Sequence, residues 1–426
     1  MLVFVINKHG ESLMPCKPSK ARKLIRDKKA KIISYKPFTI QLLYGSSGYK
    51  QPINLGIDLG AKHIGVAITT DDKVLAKGEI ELRDDVSSLL EIRKIYRRSR
   101  RGRKTRYRKP RFLNRTKLKK EGWLPPSIQS RIDNTFMWID KFEGLLPNPK
   151  LSIEVGKFDV QKLENPNIEG VDYQRGETYG FYNQRYYVFA RDNYTCQVCK
   201  CKNKILQTHH LIYKSKGGTD KVSNLISVCT DCHTSKNHKE GNILYRWMIA
   251  KKKAPNYKAT PFMNIIRLRA YKKYPNANIT YGYVTTVNRR ELGLEKTHYN
   301  DAIAISGIQA IKENIDNIFK IKQFRKKKRS LHEATARRGR KTPNTTQKRN
   351  SKNTKEQNGF YLNDKVSLFG RVGFISGFTV GGCYVKDIND NYITIPDKTY
   401  KQVSFKYLEV ICHNNNWQMI NDVRAM

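Results

Sequence analysis

The sequence predicts an α/β chain of several domains, and three observations carry that prediction. Short apolar strands fill residues 1–82, first as LVFVI, AKIISY and FTIQLLY, then as INLGIDLG, HIGVAITT and KVLAKGEIEL. Two Cys-x-x-Cys pairs, Cys196 with Cys199 and Cys229 with Cys232, mark a separate module further on. Past residue 359 the chain turns to short strands divided by Gly, Asn and Asp, the pattern of a small β-barrel. A length of 426 residues suits two or three domains, each with its own core.

Taken in order, residues 1–52 read as a basic β-α-β module around the helical stretch PSKARKLIRDKKA. Residues 53–90 read as a three-stranded meander, with Asp71 and Asp72 at its second turn. Over half of the positions from 91 to 115 are Arg or Lys, so residues 91–118 form an arginine-rich segment that repels itself unless bound. Residues 119–185 carry the strand LSIEVGKF and a polar, Tyr-rich approach to the Cys and His cluster of residues 186–245. Residues 246–320 read as a strand, a loop and a helix, with Ala302, Ile303, Ile305, Ile308 and Ile311 near helical spacing. Residues 321–358 are a basic linker with few large apolar side chains, and 359–426 are the β-rich end.

Charge narrows the partners. The chain has 82 Lys and Arg against 37 Asp and Glu, a net +45, so a polyanion is needed to relieve the repulsion, and nucleic acid is the expected one. No apolar run approaches the roughly 20 residues that span a bilayer, and MLVFVINKHGESLMP lacks the form of a signal peptide. We expect no membrane partner and a cytoplasmic, nucleoid-associated protein of a prokaryote. In that compartment the eight cysteines point to metal rather than to disulfides.

The four paired thiolates can close a tetrahedral shell around a structural zinc ion. Cys16, Cys201, Cys383 and Cys412 carry no functional expectation. Between and after the pairs runs THHLIYKSKGGTDKVSNLISVCTDCHTSKN, which is similar to the HNH, or ββα-metal, nuclease motif, with His210, Asn224 and His233 at its three named positions. Phosphodiester hydrolysis needs a base for water and a divalent cation for the phosphate, and two adjacent histidines can divide those tasks. The resemblance implies His210 as general base, His209 and His233 as ligands of one catalytic metal ion, and Asn224 as the residue that orients the base loop. Asn237, one helical turn after His233, is a further candidate ligand, and His238 is expected at the surface. His209 stands where CRISPR relatives carry Asp, which leaves the metal preference open, since magnesium favours oxygen.

A second constellation is dispersed. Asp58 ends the strand GIDLG, Glu154 lies in LSIEV, and Asp301 follows THYN at a helix start. A carboxylate in an apolar strand is costly to bury alone, and three converging acids would hold two magnesium ions about an in-line attack. Order and context resemble RuvC nucleases, whose fold is that of RNase H. That resemblance implies a RuvC domain split into three segments (53–90, 119–185 and 246–320), with the HNH module inserted and His298 assisting water or phosphate. GIDLG also opens actin-like ATPases, but no second Gly-rich phosphate loop accompanies it and an ATPase has no use for such charge.

The arginine-rich segment offers Arg93, Arg97, Arg98, Arg100, Arg101, Arg103, Arg106, Arg108 and Arg111, with Tyr96, Tyr107 and Phe112 interleaved for stacking. It resembles the bridge helix of IscB proteins and their CRISPR descendants, which contacts guide RNA, although Gly102 and Pro110 would break a continuous helix. The whole order resembles IscB, including an N-terminal module named for a PLMP motif, here SLMP at Ser12 to Pro15. The implied activity is RNA-guided cleavage of double-stranded DNA by a metal-dependent endonuclease, with each centre cutting one strand. A transposon-encoded guide RNA would pair with the target, and the C-terminal domain would read a short adjacent motif. A monomer suffices for two centres. The rival readings are a protein-only HNH endonuclease of the homing or restriction class and a non-enzymatic zinc-dependent RNA-binding protein.

Overall fold

The computed structural model describes residues 2–101, 122–251, 259–325, 356–396 and 398–423. The chain divides into two units: residues 1–156 with 262–426, and residues 157–261.

The first unit opens with β1 (Val3–Ile6), β2 (Ser12–Cys16), α1 (Pro18–Arg26), β3 (Ala30–Tyr35) and β4 (Phe38–Leu42) in a sheet of order β2-β1-β4-β3. This is more than the β-α-β expected. The Asn7 side chain accepts from the backbone N–H groups of His9 and Glu11, both at 2.9 Å, and so closes a hairpin between β1 and β2. A proline at the start of α1 presets the helical φ where no backbone donor is needed.

The meander follows as β5 (Asn54–Asp58), β6 (His63–Thr69) and β7 (Val74–Glu81), all antiparallel. After α2 (Val86–Arg101) comes α3 (Pro126–Gly144), a helix that our sequence reading passed over, with Ile132, Phe136, Ile139 and Phe142 buried along one face. It leads to β8 (Lys150–Glu154), parallel to β5.

The second unit holds α4 (Gln184–Arg191), an antiparallel ribbon of β9 (Leu206–His210) and β10 (Leu225–Cys229), and α5 (Ile243–Ala250). Phe189 of α4 packs with Leu206, Val228 and Leu244. Arg191 donates to the carbonyls of Val222 and Leu225 at 2.8 and 2.7 Å, and the Asp192 carboxylate accepts from the Ser227 N–H at 2.7 Å. Residues 231–242 form turns rather than a helix.

The chain then supplies α6 (Thr260–Lys273), β11 (Asn278–Thr280), α7 (Gly282–Glu291), α8 (His298–Ile305) and β12 (Ile318–Gln323). Helix α8 is shorter than its apolar spacing suggested. Gly307 takes φ +85° just past its end, so Ile308 and Ile311 lie beyond the helix. The remaining strands are β13 (Glu356–Gln357), β14 (Phe360–Tyr361), β15 (Lys365–Leu368), β16 (Arg371–Thr379), β17 (Gly382–Lys386), β18 (Tyr392–Ile393), β19 (Gln402–Val403), β20 (Leu408–Cys412) and β21 (Trp417–Val423). Strands β15 to β20 build a separate antiparallel sheet around Val366, Leu368, Ile375, Phe378 and Val385. The last strand leaves that sheet to pair with β12.

The seven-stranded sheet, β11-β8-β5-β6-β7-β12-β21, positions the first candidate site. Successive residues of a strand face opposite sides. Leu55, Ile57, Ile64, Val66 and Ile68 therefore turn to one face, where they join the core with Phe136, Ile139 and Phe142 of α3 and Phe262 and Ile266 of α6. Gly56, Asp58, Gly65 and Ala67 turn to the other, under α8. Two glycines let α8 lie directly on the strands: a Cβ at Gly56 would stand 2.0 Å from the Ala302 carbonyl oxygen, and one at Gly65 would stand 1.9 Å from that of His298. Among the described residues no helix is long and apolar enough to cross a membrane.

Candidate active site

In the second unit the ribbon register places His209 opposite Ile226 and His210 opposite Leu225, so the two histidines leave the ribbon on opposite faces. His209 is 3 % exposed. Its Nδ1 lies 3.1 Å from His233 Nε2, while its own Nε2 is buried without a hydrogen-bond partner. Burial first, and then the neighbouring histidines 233, 238 and 210, push His209 down to about 3. His233 Nδ1 meets Gln207 Oε1 at 2.7 Å, which fixes that ring. The third member of the cluster is His238, whose ring centroid is 5.1 Å from that of His209 and 5.0 Å from that of His233.

The sequence expectation puts Asn237 here and His238 at the surface. Helical spacing from His233 does not apply, because the segment is a series of turns, and the Asn237 amide donates to the Cys232 carbonyl at 2.8 Å. His209, His233 and His238 each present a nitrogen within 4.8 Å of the others. Three imidazoles, one with an orphaned buried nitrogen, are a donor set that fits a divalent cation.

His210 faces a different surface, a cleft of about 540 Å³ that it lines with Thr208, Asp220, Phe181 and Tyr182. Its Nε2 lies 2.7 Å from Asp220 Oδ1, and Lys214 Nζ lies 2.8 Å from the same oxygen. Asp220 was not foreseen; only the loop between the ribbon strands brings it back. Asn224 is 1 % exposed and ties that loop together. Its Oδ1 accepts from the Ile212 N–H at 2.9 Å, and its Nδ2 donates to the carbonyls of Ile212 and Thr219 at 3.1 and 2.9 Å.

The four paired cysteines present sulfurs within 4.8 Å of one another, and Cys196 and Cys229 are fully buried. The Cys229 N–H donates to Cys196 Sγ at 3.3 Å, and the backbone at Cys201, with bonds from the other thiols, brings Cys199 down to about 6. Four sulfurs at this mutual reach fit zinc.

In the first unit Asp58 and Glu154 are direct register partners across β5 and β8. Asp301 comes from α8 above them. Asp58, 8 % exposed, meets His298 Nδ1 at 2.6 Å, and Asp301 pairs with Arg289 Nε at 2.7 Å. Burial, followed by the charges of Asp58 and Asp301, raises Glu154 to about 7 against the pull of the Thr285 hydroxyl. Burial and Asp58 raise Asp301 as well. The bond to Asp58 raises His298. Acids that resist ionisation beside one another are the setting in which a cation is bound most usefully. Arg93 and Arg97 are exposed on α2, and Arg98, Arg100 and Arg101 lie on the same helix. Arg103, Arg106, Arg108 and Arg111 lie outside the described residues.

Comparison with known proteins bears on both units. Residues 3–176 match a family model described as RRXRR protein, a pattern that Arg97-Arg98-Ser99-Arg100-Arg101 spells in this sequence. Residues 196–239 match the HNH endonuclease model. Over 48 residues the chain is 42 % identical to anaredoxin from Nostoc sp. (strain PCC 7120 / SAG 25.82 / UTEX 2576), a stretch that covers 11 % of this chain and 62 % of that relative. The Type II-C Cas9 enzyme from Actinomyces naeslundii overlaps 61 % of this chain and 60 % of its own at 11 % identity, with a TM-score of 0.23, too low to establish a shared fold. This mixed α/β chain of several domains therefore carries an HNH endonuclease domain with a four-cysteine cluster suited to zinc.

Proposed function

We propose that the protein is an RNA-guided DNA endonuclease of the IscB kind, cutting one strand with its HNH centre and the other with a RuvC-like centre around Asp58. The observation that carries the nuclease reading is the second unit's division of labour. Three imidazoles gather on one side of the ribbon and His210 stands on the other with a carboxylate behind it. A carboxylate only accepts, so His210 gives its Nε2–H to Asp220 and keeps Nδ1 free to take a proton from water. Asn224 keeps the loop that carries this pair closed. His209, His233 and His238 would hold a divalent cation, which supplies charge neutralisation at the phosphate and the leaving oxygen. Nitrogen donors suit a transition metal better than magnesium, which favours oxygen.

For the first unit, the strand order supports the reading. A three-stranded antiparallel meander is extended beyond its first strand by two parallel strands, with acids on β5, β8 and a following helix, as an RNase H-like nuclease requires. Asp58, Glu154 and Asp301 are all-oxygen donors and would hold a pair of magnesium ions. Guidance by RNA is supported by charge: +45 on 426 residues far exceeds what side-chain reading of DNA needs, and base pairing delegates that reading. A duplex with a short adjacent motif, read by the C-terminal sheet, completes the partner set, and such a particle would act as a monomer at the nucleoid.

The test is to purify the protein with and without its flanking genomic RNA and to assay plasmid cleavage for wild type, Asp58→Ala and His210→Ala in magnesium and in manganese. RNA-dependent cutting that becomes nicking in each single variant and vanishes in the double supports the proposal. Cutting at a fixed site without RNA replaces it with the protein-only endonuclease. Absence of any divalent-dependent cutting favours the zinc-dependent RNA binder.

A further inference from the structure

Two side chains beside the Asp58 centre have no part in the chemistry above. One register row crosses the sheet through Glu154, Asp58, Gly65 and Glu79. Glu79 is therefore a further acid in line with two of the candidate metal ligands. His63 lies two residues before Gly65 on β6 and so faces the same side, a diagonal neighbour of Glu79 within reach of long side chains. His63 Nδ1 donates to the Glu79 carboxylate. The His63 ring stacks on that of His298, with centroids 5.6 Å apart and planes 6° from parallel. His298 Nδ1 in turn meets Asp58 at 2.6 Å. The result is two carboxylate–imidazole pairs, one stacked on the other.

Each ring turns its Nδ1–H to a carboxylate, and no hydrogen bond among the described residues uses either Nε2. Both rings stay open to solvent, the His63 side chain at 32 % and that of His298 at 45 %. When an anionic oxygen meets the outward Nε2, the ring lies between two anions and can donate to both once that contact brings it a proton. The anion that belongs among three acids is a phosphate of the bound strand.

We propose that His63, held by Glu79 and by the His298 ring, contacts a non-bridging phosphate oxygen of the strand bound in the Asp58 centre, with Glu79 as a positioning residue. The proposal rests on the reading of that centre as a nuclease.

The test uses the full chain with its RNA in a His210→Ala background, where nicking reports the Asp58 centre alone. His63→Ala is expected to slow single-turnover nicking about 30-fold at an unchanged half-saturating DNA concentration. His63→Gln, which keeps an N–H donor at similar reach, should recover all but about threefold, and Glu79→Gln should lose about fivefold. Phosphorothioate substitution gives the reading that a structural role would not move. Sulfur at the oxygen His63 touches slows the parent, and that penalty disappears in His63→Ala while the penalty at the other oxygen stays.

Nicking by His63→Ala at the parent's rate, or unchanged penalties at both oxygens, overturns the assignment. So does a loss that His63→Gln leaves in place and that comes with a lowered melting temperature, because that is a scaffold role. If the His210→Ala parent itself fails to nick, or nicks undiminished once Asp58→Ala is added, the two-centre reading has failed first and the assignment falls with it.

Discussion

Gly65→Ala probes how the acid centre is assembled without touching any acid. The added Cβ would stand 1.9 Å from the His298 carbonyl oxygen, 2.5 Å from its carbon and 3.2 Å from the Asp58 Cβ. Two of these atoms are helix backbone, so no side chain can rotate out of the way. Real Cβ atoms essentially never come within 3.0 Å of such a neighbour, so the gap between α8 and β6 must open from 1.9 Å to at least that value. Overpacking of this kind costs about 1–3 kcal/mol, which at about 2–4 °C per kcal/mol in a large domain is a melting-temperature drop near 5 °C. The consequence for chemistry is larger. Asp301 and His298 ride on α8 while Asp58 and Glu154 stay on the sheet, and a displacement of about 1 Å between reacting groups is worth about 100-fold. In single-turnover assays with each strand labelled, Gly65→Ala should cut the Asp58-dependent strand about 100-fold more slowly and leave the His210-dependent strand within a factor of two. Gly144→Ala, whose Cβ would meet nothing within 4 Å, is the control and should match wild type in both. A Gly65→Ala chain that cuts both strands at wild-type rates would refute the claim that α8 seats on β5 and β6 through their glycines.

The second unit gives three further expectations and the acid row one more. Cys229→Ala removes a fully buried thiol of the cysteine cluster, so bound zinc measured by atomic absorption should fall from one per chain to none, with loss of protease resistance in residues 157–261; retained stoichiometric zinc would show that the cluster is not the site. Asn224→Ala abolishes three hydrogen bonds from one buried amide and should destabilise the second unit by about 2–4 kcal/mol, read as an earlier denaturant midpoint. His238→Ala should raise the manganese concentration needed for His210-dependent cutting by about 10- to 100-fold, whereas Asn237→Ala should not. Glu154 sits at about 7 in the fold and at 4.5 when free, so the folded chain keeps a proton that the unfolded chain gives up. Stability from this group is complete below the free value and is lost as pH rises through about 7. Thermal melts in EDTA should show that decline between about pH 5 and 8, and Glu154→Gln should flatten it.

What the sequence disclosed, and what it hid, follows from how local each signal is. The meander was readable because β5 to β7 are long, apolar and consecutive, and the paired cysteines were readable because a thiolate cage is specified by spacing within a few residues. Asp58 stood out as a carboxylate in an apolar strand. By contrast, α3 spreads its buried residues through a polar stretch, and only packing on the sheet shows which face they make. His238 was passed over because helical spacing was assumed for a segment of turns. His63, Glu79 and Asp220 carry no local signal: the first two gain meaning from the pairing of β6 with β7, and the third from a loop closed by Asn224.

The sheet register also explains why the acid centre needs a glycine where it does. A row that carries Glu154, Asp58 and Glu79 on three of four adjacent strands would place like charges side by side at a cost that rises as they are buried. Gly65 interrupts the row between Asp58 and Glu79, and through the gap comes the start of α8, bringing the His298 imidazole against Asp58. Glu79 beyond the gap has a different partner, His63, stacked on that imidazole. A side chain at residue 65 would therefore do more than crowd the helix. It would part the sheet acids from the helix that carries His298 and Asp301, which is why a single methyl group there is expected to silence one centre and spare the other.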